Sequence, residues 1–160
     1  SKVEGLARRS RTKKLRLRGA EGYEALANDT DPVTVHLANR YGGEAATVLA
    51  LAEADPSLRE PLVAGLPYIR AEAVYAVRYE MARSVDDVLT RRTRARLLAR
   101  DASAAAADDV AALIAPILGL TDEEAAVQAA TYRTAVEAER ADAGLPLTGP
   151  LEAAADLLPS

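Results

Sequence analysis

The chain has 160 residues, a formal net charge of −4, and no Cys, Phe or Trp. The absence of Cys excludes a disulfide scaffold and a thiolate metal site, and no apolar run approaches the roughly 20 residues that span a bilayer. Hydrophobic residues make up 49% of the chain and are mostly Ala, Leu and Val. Because Ala is the best helix former, we predict an all-α fold: one bundle-like domain of about six to seven helices, preceded by a short basic extended segment.

The basic residues are concentrated at the N-terminus, where residues 1–18 contain eight Lys or Arg against one Glu. We predict a basic extended segment over 1–18, a helical domain over 19–144, and a Pro- and Gly-containing tail over 145–160. A basic arm could bind nucleic acid or an anionic surface, but this arm has no aromatic side chain to stack on a base. Leu15 and Leu17 alternate with basic residues as in a strand, which favours a segment belonging to a neighbouring domain.

Helix start and stop signals divide the first third of the chain. Residues 19–27 form a weak helix candidate. Asp31 followed by Pro32 is typical of an N-cap and first helical turn, and this helix should end at Gly42, because Gly readily adopts the left-handed conformation that terminates helices. The predicted inner stripe of that helix is Val33, Leu37 and Tyr41. A third helix is predicted over 44–54.

The last third is predicted to hold two longer helices. The first, over 102–118, is Ala-rich and contains Pro116, which would kink or end it. Thr121 and Glu124 form the pattern of a capping box at the start of a helix that reaches about Ala143. The predicted inner stripe of this last helix is Ala125, Ala129, Tyr132 and Val136.

Two further helices are predicted between these regions, over 66–83 and from Ser84 to about residue 98. The first has no Gly after its entry and a Pro only at that entry, Pro67, where the lost hydrogen bond is one that a helix never makes. Each helix carries a charge in line with its apolar stripe: Glu80 on the first and Arg92 on the second.

These charges suggest an ion pair between the two helices. We predict that Glu80 pairs with Arg91 or Arg92, either as a buried pair, since an unpaired buried charge is very unfavourable, or as a partly solvated surface pair. Together with Arg94, these arginines form the best candidate for binding an anionic group. The alternative is that they make salt bridges with acidic residues nearby, namely Glu72, Glu80 and Asp87.

The sequence offers little for catalysis. No G-x-G-x-x-G or P-loop pattern occurs, so no phosphate cradle is encoded, and the only histidine, His36, lies off the predicted apolar stripe. Adjacent carboxylates such as Asp86 and Asp87 do not face each other on a helix. We therefore predict no catalytic residue, no cofactor-binding residue and no metal ligand in the chain.

Four stretches of sequence together resemble a known family. They are SRTKKLRLRGA at 10–20, RYGGEAATVLALA at 40–52, PLVAGLPYIRAEAVYAVRYEMA at 61–82 and SVDDVLTRRTRARLL at 84–98. In this order they are similar to the C-terminal helical domain of the FAD-dependent aerobic glycerol-3-phosphate dehydrogenases, including the segment that joins the flavin domain to this cap. Any one stretch alone would be a weak match.

The resemblance implies a parent enzyme that oxidises sn-glycerol 3-phosphate to dihydroxyacetone phosphate, passes the hydride to FAD, and hands electrons to membrane quinone. The flavin and substrate domain precedes this region in the family, and the chain begins with Ser1 rather than Met, so we expect a piece of a longer protein. The piece alone should be inactive and bind no FAD. Its expected roles are structural: the Glu80 ion pair fixes the angle between two helices, and the remaining arginines dock on the missing domain.

The expected partners are thus the protein's own N-terminal flavin and substrate domain and a possible second copy. The parent is expected to be cytoplasmic, or peripheral at a membrane for access to quinone, and not to bind nucleic acid. An alternative interpretation is a free-standing helical adaptor, or a module that binds nucleic acid or an anionic surface through the basic N-terminal arm.

Overall fold

The computed structural model describes residues 19–146, which are largely helical and contain no β-strand. The prediction of an all-α fold is therefore confirmed. In chain order the α-helices of this range are α1 (Tyr23–Ala27), α2 (Pro32–Tyr41), α3 (Ala45–Ala54), α4 (Arg70–Tyr79), α5 (Ala95–Leu98), α6 (Arg100–Ala105), α7 (Ala107–Leu118) and α8 (Asp122–Asp142). The basic arm over 1–18 and residues 147–160 of the predicted tail lie outside the described residues.

Short helical segments of other types complete the architecture. Two 3₁₀ turns, Gly42–Glu44 and Pro56–Arg59, flank α3, and a π-helix, Asp87–Arg92, lies between α4 and α5. Within 19–146, no helix combines the length and apolar character needed to cross a membrane. The chain divides into two compact units, with the boundary between Ala45 and Ala46.

The first unit contains α1 and α2. As predicted, Asp31 caps α2, because its carboxylate accepts the backbone N–H of Thr34 at 3.0 Å, and the helix ends at Gly42. The buried positions of α2 are Thr34, Leu37 and Ala38, so the predicted stripe was right only at Leu37. The two ends of the described part of this unit are joined by a backbone bond, in which the N–H of Gly43 donates to the carbonyl of Gly19 at 2.6 Å. A Cβ atom at Gly43 would overlap the carbonyl oxygen of Glu21.

The second unit holds the main apolar core. Helix α7 packs against α8 and against α4, and the π-helix packs against α4 and α5. Val85, two residues before the π-helix, is completely buried, as are Val88 and Leu89 within it. The predicted capping box is confirmed, since Thr121 and Glu124 bond reciprocally at the start of α8. The four predicted inner residues of α8 are all buried, namely Ala125, Ala129, Tyr132 and Val136.

Helix α4 is shorter than the predicted helix over 66–83. The N–H of Leu62 donates to the carbonyl of Tyr68 at 2.8 Å, and the N–H of Arg70 donates to that of Glu60 at 2.9 Å. These backbone bonds between residues 60–62 and 68–70 hold the residues before Arg70 in an extended conformation. Pro67 therefore does not begin the helix. At the other end Met81 has a left-handed backbone, φ 60°, and the helix ends at Tyr79, four residues before the predicted end.

The helix predicted over 84–98 is broken into two. Ser84 caps the first part as predicted, with its Oγ accepting the N–H of Asp87 at 3.0 Å. The chain then widens into the π-helix, and the buried Thr93 donates its hydroxyl to the carbonyl of Val88 at 2.9 Å. Arg94 adopts a left-handed conformation, φ 58°, so α5 starts in a new direction.

The helix predicted over 102–118 is also two helices, α6 and α7, which meet at Ala106. Ser103 donates its hydroxyl to the carbonyl of Arg100 at 2.7 Å, a local bond that competes with regular helix bonding. Pro116 lies in the last turn of α7, before the left-handed Gly119 that ends the helix. It removes the bond that its own N–H would have donated to the carbonyl of residue 112, and the helix ends two residues later, at Leu118.

Candidate docking surface between residues 78 and 98

The end of α4 is held by an arginine from the π-helix. Arg92 donates from Nη2 and Nε to the backbone carbonyl of Glu80, at 2.7 and 3.2 Å. The Glu80 carboxylate is farther away, with 3.7 Å between Oε2 and the Arg92 Nε, and both side chains are about one third exposed, 33% and 30%. Of the two candidate partners, Arg92 therefore contacts Glu80, in a partly solvated arrangement. A cation at this carbonyl is also favoured by the negative end of the helix dipole.

Arg91 is paired with different carboxylates. Its guanidinium lies 3.4 Å from Asp86 and contacts Asp87 one helical turn away. Burial by itself would raise the pKa of Asp87. However, bonds from the backbone N–H of Arg83, from Arg91 and with Ser84 together hold that pKa below its ordinary value. The carboxylate is therefore ionised at neutral pH, and it compensates the charge of Arg91.

Arg94 differs from both of its neighbours in the cluster. It is exposed, and it forms no ion pair with any residue between 19 and 146. Its carbonyl accepts the N–H groups of Leu97 and Leu98 at 3.0 and 3.2 Å, which places these residues one turn away on the same short helix. Leu97 is 71% exposed and Leu98 is 53% exposed. An exposed arginine without an ion pair among these residues thus precedes two exposed leucines by one turn of the chain.

Exposed apolar and cationic side chains are unusually dense in this part of the chain. Among the described residues, four of the seven large hydrophobic side chains that remain exposed lie between positions 79 and 98. Arg78 and Arg83 are exposed as well, and like Arg94 they form no ion pair with a described residue. We call this set the 78–98 surface; its members are Arg78, Tyr79, Met81, Arg83, Arg94, Leu97 and Leu98.

The backbone of this segment is held by bonds to α8. The side-chain oxygen of Gln128 accepts the N–H of Val85 at 3.1 Å. Arg96 donates from Nε to the carboxylate of Glu139 at 2.7 Å and from Nη2 to the carbonyl of Ala135 at 3.2 Å. The two residues that flank Arg94 are completely buried. The surface is therefore presented by an anchored backbone.

Glu72, offered from the sequence as one alternative salt-bridge partner of the arginines, lies at the start of α4. It is completely buried, and its Oε1 accepts the backbone N–H of Ile69 at 3.0 Å. This satisfies a donor at the start of α4 that has no partner within the helix. The sequence carries a weak signal for this role, a Glu three residues after the cap position, but the cap residue is Ile rather than Ser or Thr.

A second interaction that the sequence did not reveal joins α6 to α8. The hydroxyls of Ser103 and Tyr132 lie 2.9 Å apart in the core. Burial raises the pKa of Tyr132, and this effect is only partly opposed by hydrogen bonds with Ser103 and Thr90. Among residues 19–146, no group of three His, Cys, Asp or Glu side chains is placed to hold a metal ion.

Comparison with known proteins identifies the family. The family described as the C-terminal domain of alpha-glycerophosphate oxidase matches residues 10–125. The chain belongs to this family. The resemblance seen in the sequence is thereby confirmed, and the 78–98 surface lies within the matched region. The match ends at Ala125, so most of α8 lies beyond it.

The curated proteins to which this chain is similar are named glycerol-3-phosphate dehydrogenases. The chain is 39% identical over 138 residues to a glycerol-3-phosphate dehydrogenase of Mycobacterium leprae, and 37% identical over 138 residues to glycerol-3-phosphate dehydrogenase 2 of Mycobacterium tuberculosis. Each alignment covers 80% of this chain and 24% of the relative. A probable mitochondrial glycerol-3-phosphate dehydrogenase of Dictyostelium discoideum is 35% identical over 120 residues, covering 70% of this chain and 19% of the relative. The chain thus spans about a quarter or less of these relatives' length. No solved structure matches it.

Proposed function

We propose that this chain is the C-terminal helical domain of a longer, FAD-dependent glycerol-3-phosphate dehydrogenase. The longer protein would oxidise sn-glycerol 3-phosphate to dihydroxyacetone phosphate and pass electrons through FAD to quinone. The observation that carries the proposal is the family match over residues 10–125, together with relatives whose names state this dehydrogenase activity and whose chains are about four times longer than the matched region.

Within that enzyme, the domain has a structural and docking role. Its own sequence has no Gly-rich phosphate-binding pattern, so FAD and substrate would be held by the N-terminal part. The contact of Arg92 with the carbonyl of Glu80 sets the angle between α4 and the π-helix. Arginines whose charge is not already compensated are then available to the N-terminal part.

The location of the longer protein follows from its proposed electron acceptor. An enzyme that reduces a membrane quinone has to reach the bilayer surface, so we propose a cytoplasmic protein with peripheral membrane association. A second copy is a further possible partner. A free-standing adaptor that uses the basic arm is not favoured, because that arm falls partly within the region that matches the dehydrogenase family.

The test is to produce the longer protein and the 160-residue chain side by side. The longer protein should show a flavin absorbance spectrum and reduce an artificial electron acceptor when given sn-glycerol 3-phosphate, whereas the 160-residue chain should do neither. A longer protein without flavin or without this oxidation contradicts the proposal. Tight, salt-sensitive binding of the 160-residue chain to DNA or anionic vesicles would favour the adaptor instead.

A further inference from the structure

We propose that the 78–98 surface is the face through which this domain docks on an acidic surface of the N-terminal part of the same protein. The inference rests on the proposed function, since it needs that N-terminal part to exist. It assigns docking to Arg94, Arg78 and Arg83 and to the exposed apolar side chains of the same surface. Arg91 and Arg92 are left with intramolecular roles.

Charge separates these two groups of arginines. Arg91 and Arg92 contact carboxylates of their own unit, so little of their charge remains for a partner. Arg94 has an exposed guanidinium with no described carboxylate near enough to form an ion pair. A guanidinium binds a carboxylate through two parallel hydrogen bonds, so the complementary group on the partner is an Asp or Glu side chain.

The composition of the surface fits a protein partner better than a lipid surface. Arg, Tyr and Met are enriched in the central parts of protein interfaces, whereas Lys is depleted. The 78–98 surface combines Arg, Tyr and Met with exposed Leu.

Backbone strain provides an independent argument. Among the described residues, Met81 and Arg94 are the non-Gly residues with positive φ, at 60° and 58°. A side chain is strained in this conformation, whereas Gly adopts it freely. Met81 is nevertheless 83% exposed, and Arg94 is exposed too, so neither side chain helps the core. Strained positions of this kind are concentrated at functional surfaces.

The anchored backbone beneath the surface lowers the entropy loss on docking. Arg96 is tied to Glu139 and to the carbonyl of Ala135 on α8, and both neighbours of Arg94 are buried. The occupant is the N-terminal part because the matched region is only 24% of each mycobacterial relative. Most of the polypeptide able to cover this face therefore lies outside the domain.

The experiment uses Met81, the only methionine of the chain, as a probe. Hydroxyl-radical labelling is followed by mass spectrometry in the 160-residue chain and in the longer protein. We expect Met81, Leu97 and Leu98 to label readily in the 160-residue chain and to lose labelling in the longer protein. Tyr132, which is 2% exposed in the core, serves as the internal control and should stay unlabelled in both.

An Arg94→Gly variant separates docking from folding. In the 160-residue chain it should leave the melting temperature unchanged or raise it, because Gly relieves the left-handed strain. In the longer protein it should restore labelling of Met81, since loss of a central interface arginine weakens association about thirtyfold. The matched control is Arg140→Ala, which removes an arginine paired with Glu137 on α8 and should leave the labelling pattern unchanged.

Several outcomes overturn the inference. Equal labelling of Met81 in both proteins would show that this face stays exposed. Protection in the 160-residue chain that grows with its concentration would identify a second copy as the occupant, and protection only with anionic vesicles would identify lipid. If the longer protein oxidises sn-glycerol 3-phosphate while Met81 stays exposed, only the docking inference fails. If Met81 is protected but no oxidation occurs, the proposed activity fails instead.

Discussion

The α7–α8 pair and the 78–98 surface lie in the same unit but follow local rules to very different degrees. Helix α8 runs for 21 residues from a capping box, and its buried residues recur at regular helical spacing. Helix α7 ends at a left-handed Gly, the residue best suited to that position. The residues of the 78–98 surface instead lie on either side of a π-helix, and they include left-handed Met81 and Arg94 and exposed Leu97 and Leu98.

Folding alone accounts for the residues of the α7–α8 pair but not for those of the 78–98 surface. In the α7–α8 pair, capping, periodicity and burial all favour the same structure, as expected where folding alone decides the residues. In the 78–98 surface the local preferences conflict with the observed backbone and with the exposure of its side chains. Such conflicts are expected mainly at functional positions.

The largest expected effect tests the core side of this comparison. Ile114 in α7 is completely buried, so Ile114→Ala should lower the free energy of unfolding by about 2–5 kcal/mol, through lost apolar burial and a residual cavity. The matched change on the other side is Leu97→Ala, which should stay within about 0.5 kcal/mol. Urea denaturation of both variants measures the difference. Similar losses in the two would mean that Leu97 is covered in the folded chain, and the contrast would be wrong.

A smaller effect is expected from the polar contact inside the core. Tyr132→Phe removes the hydroxyl bonded to Ser103 and should lower stability by about 1 kcal/mol, since Ser103 keeps its bond to the carbonyl of Arg100. Because burial raises the pKa of Tyr132 above its ordinary value of 10.0, the native protein should lose stability as the pH rises beyond that value. The Phe variant should lack this loss. A parallel loss in both proteins would contradict the assignment.

The capping box gives a pH-dependent prediction. Bonds from the N–H and the hydroxyl of Thr121 hold the pKa of Glu124 below its ordinary value of 4.5. The ionised carboxylate therefore stabilises the fold above pH 4.5, and this contribution is lost as the pH falls through the lowered pKa. The native protein should exceed Glu124→Gln in stability at pH 7, and the gap should narrow towards pH 3. Thr121→Ala should lower stability by about 1 kcal/mol. A gap that is independent of pH would rule out this role for the Glu124 charge.

The same contrast explains what could be predicted from sequence. The fold class, the cap at Asp31, the capping box and the inner stripe of α8 were predictable, because each depends on residues a few positions apart. The family was also predictable, from motifs that include the 78–98 surface itself. The sequence pattern was sufficient to predict those elements whose structure is set by residues close together in the chain.

The remaining errors have a common physical cause. The start of α4 is set by backbone bonds between residues 60–62 and 68–70, and the π-helix and left-handed Arg94 depend on tertiary packing. Neither leaves a periodic trace in the sequence. The burial of Glu72 was missed because its bond from the backbone N–H of Ile69 is signalled only by the Glu three positions after a cap residue that is not Ser or Thr. Of the candidate arginines, only the structure separates paired Arg91 and Arg92 from Arg94.

The smallest expected effect concerns the contact between Glu80 and Arg92. Glu80→Gln should change the free energy of unfolding by less than about 1 kcal/mol, because the pair is partly exposed at 3.7 Å and exposed pairs contribute little. Gln also keeps the backbone carbonyl to which Arg92 makes its shorter bond, at 2.7 Å. Arg92→Ala removes that bond and should be the more damaging variant. If Glu80→Gln instead lowered stability by about 3–5 kcal/mol, as expected for a broken buried pair, this prediction would be wrong. Glu80 would then belong to the buried core, and the docking surface would have to begin beyond it.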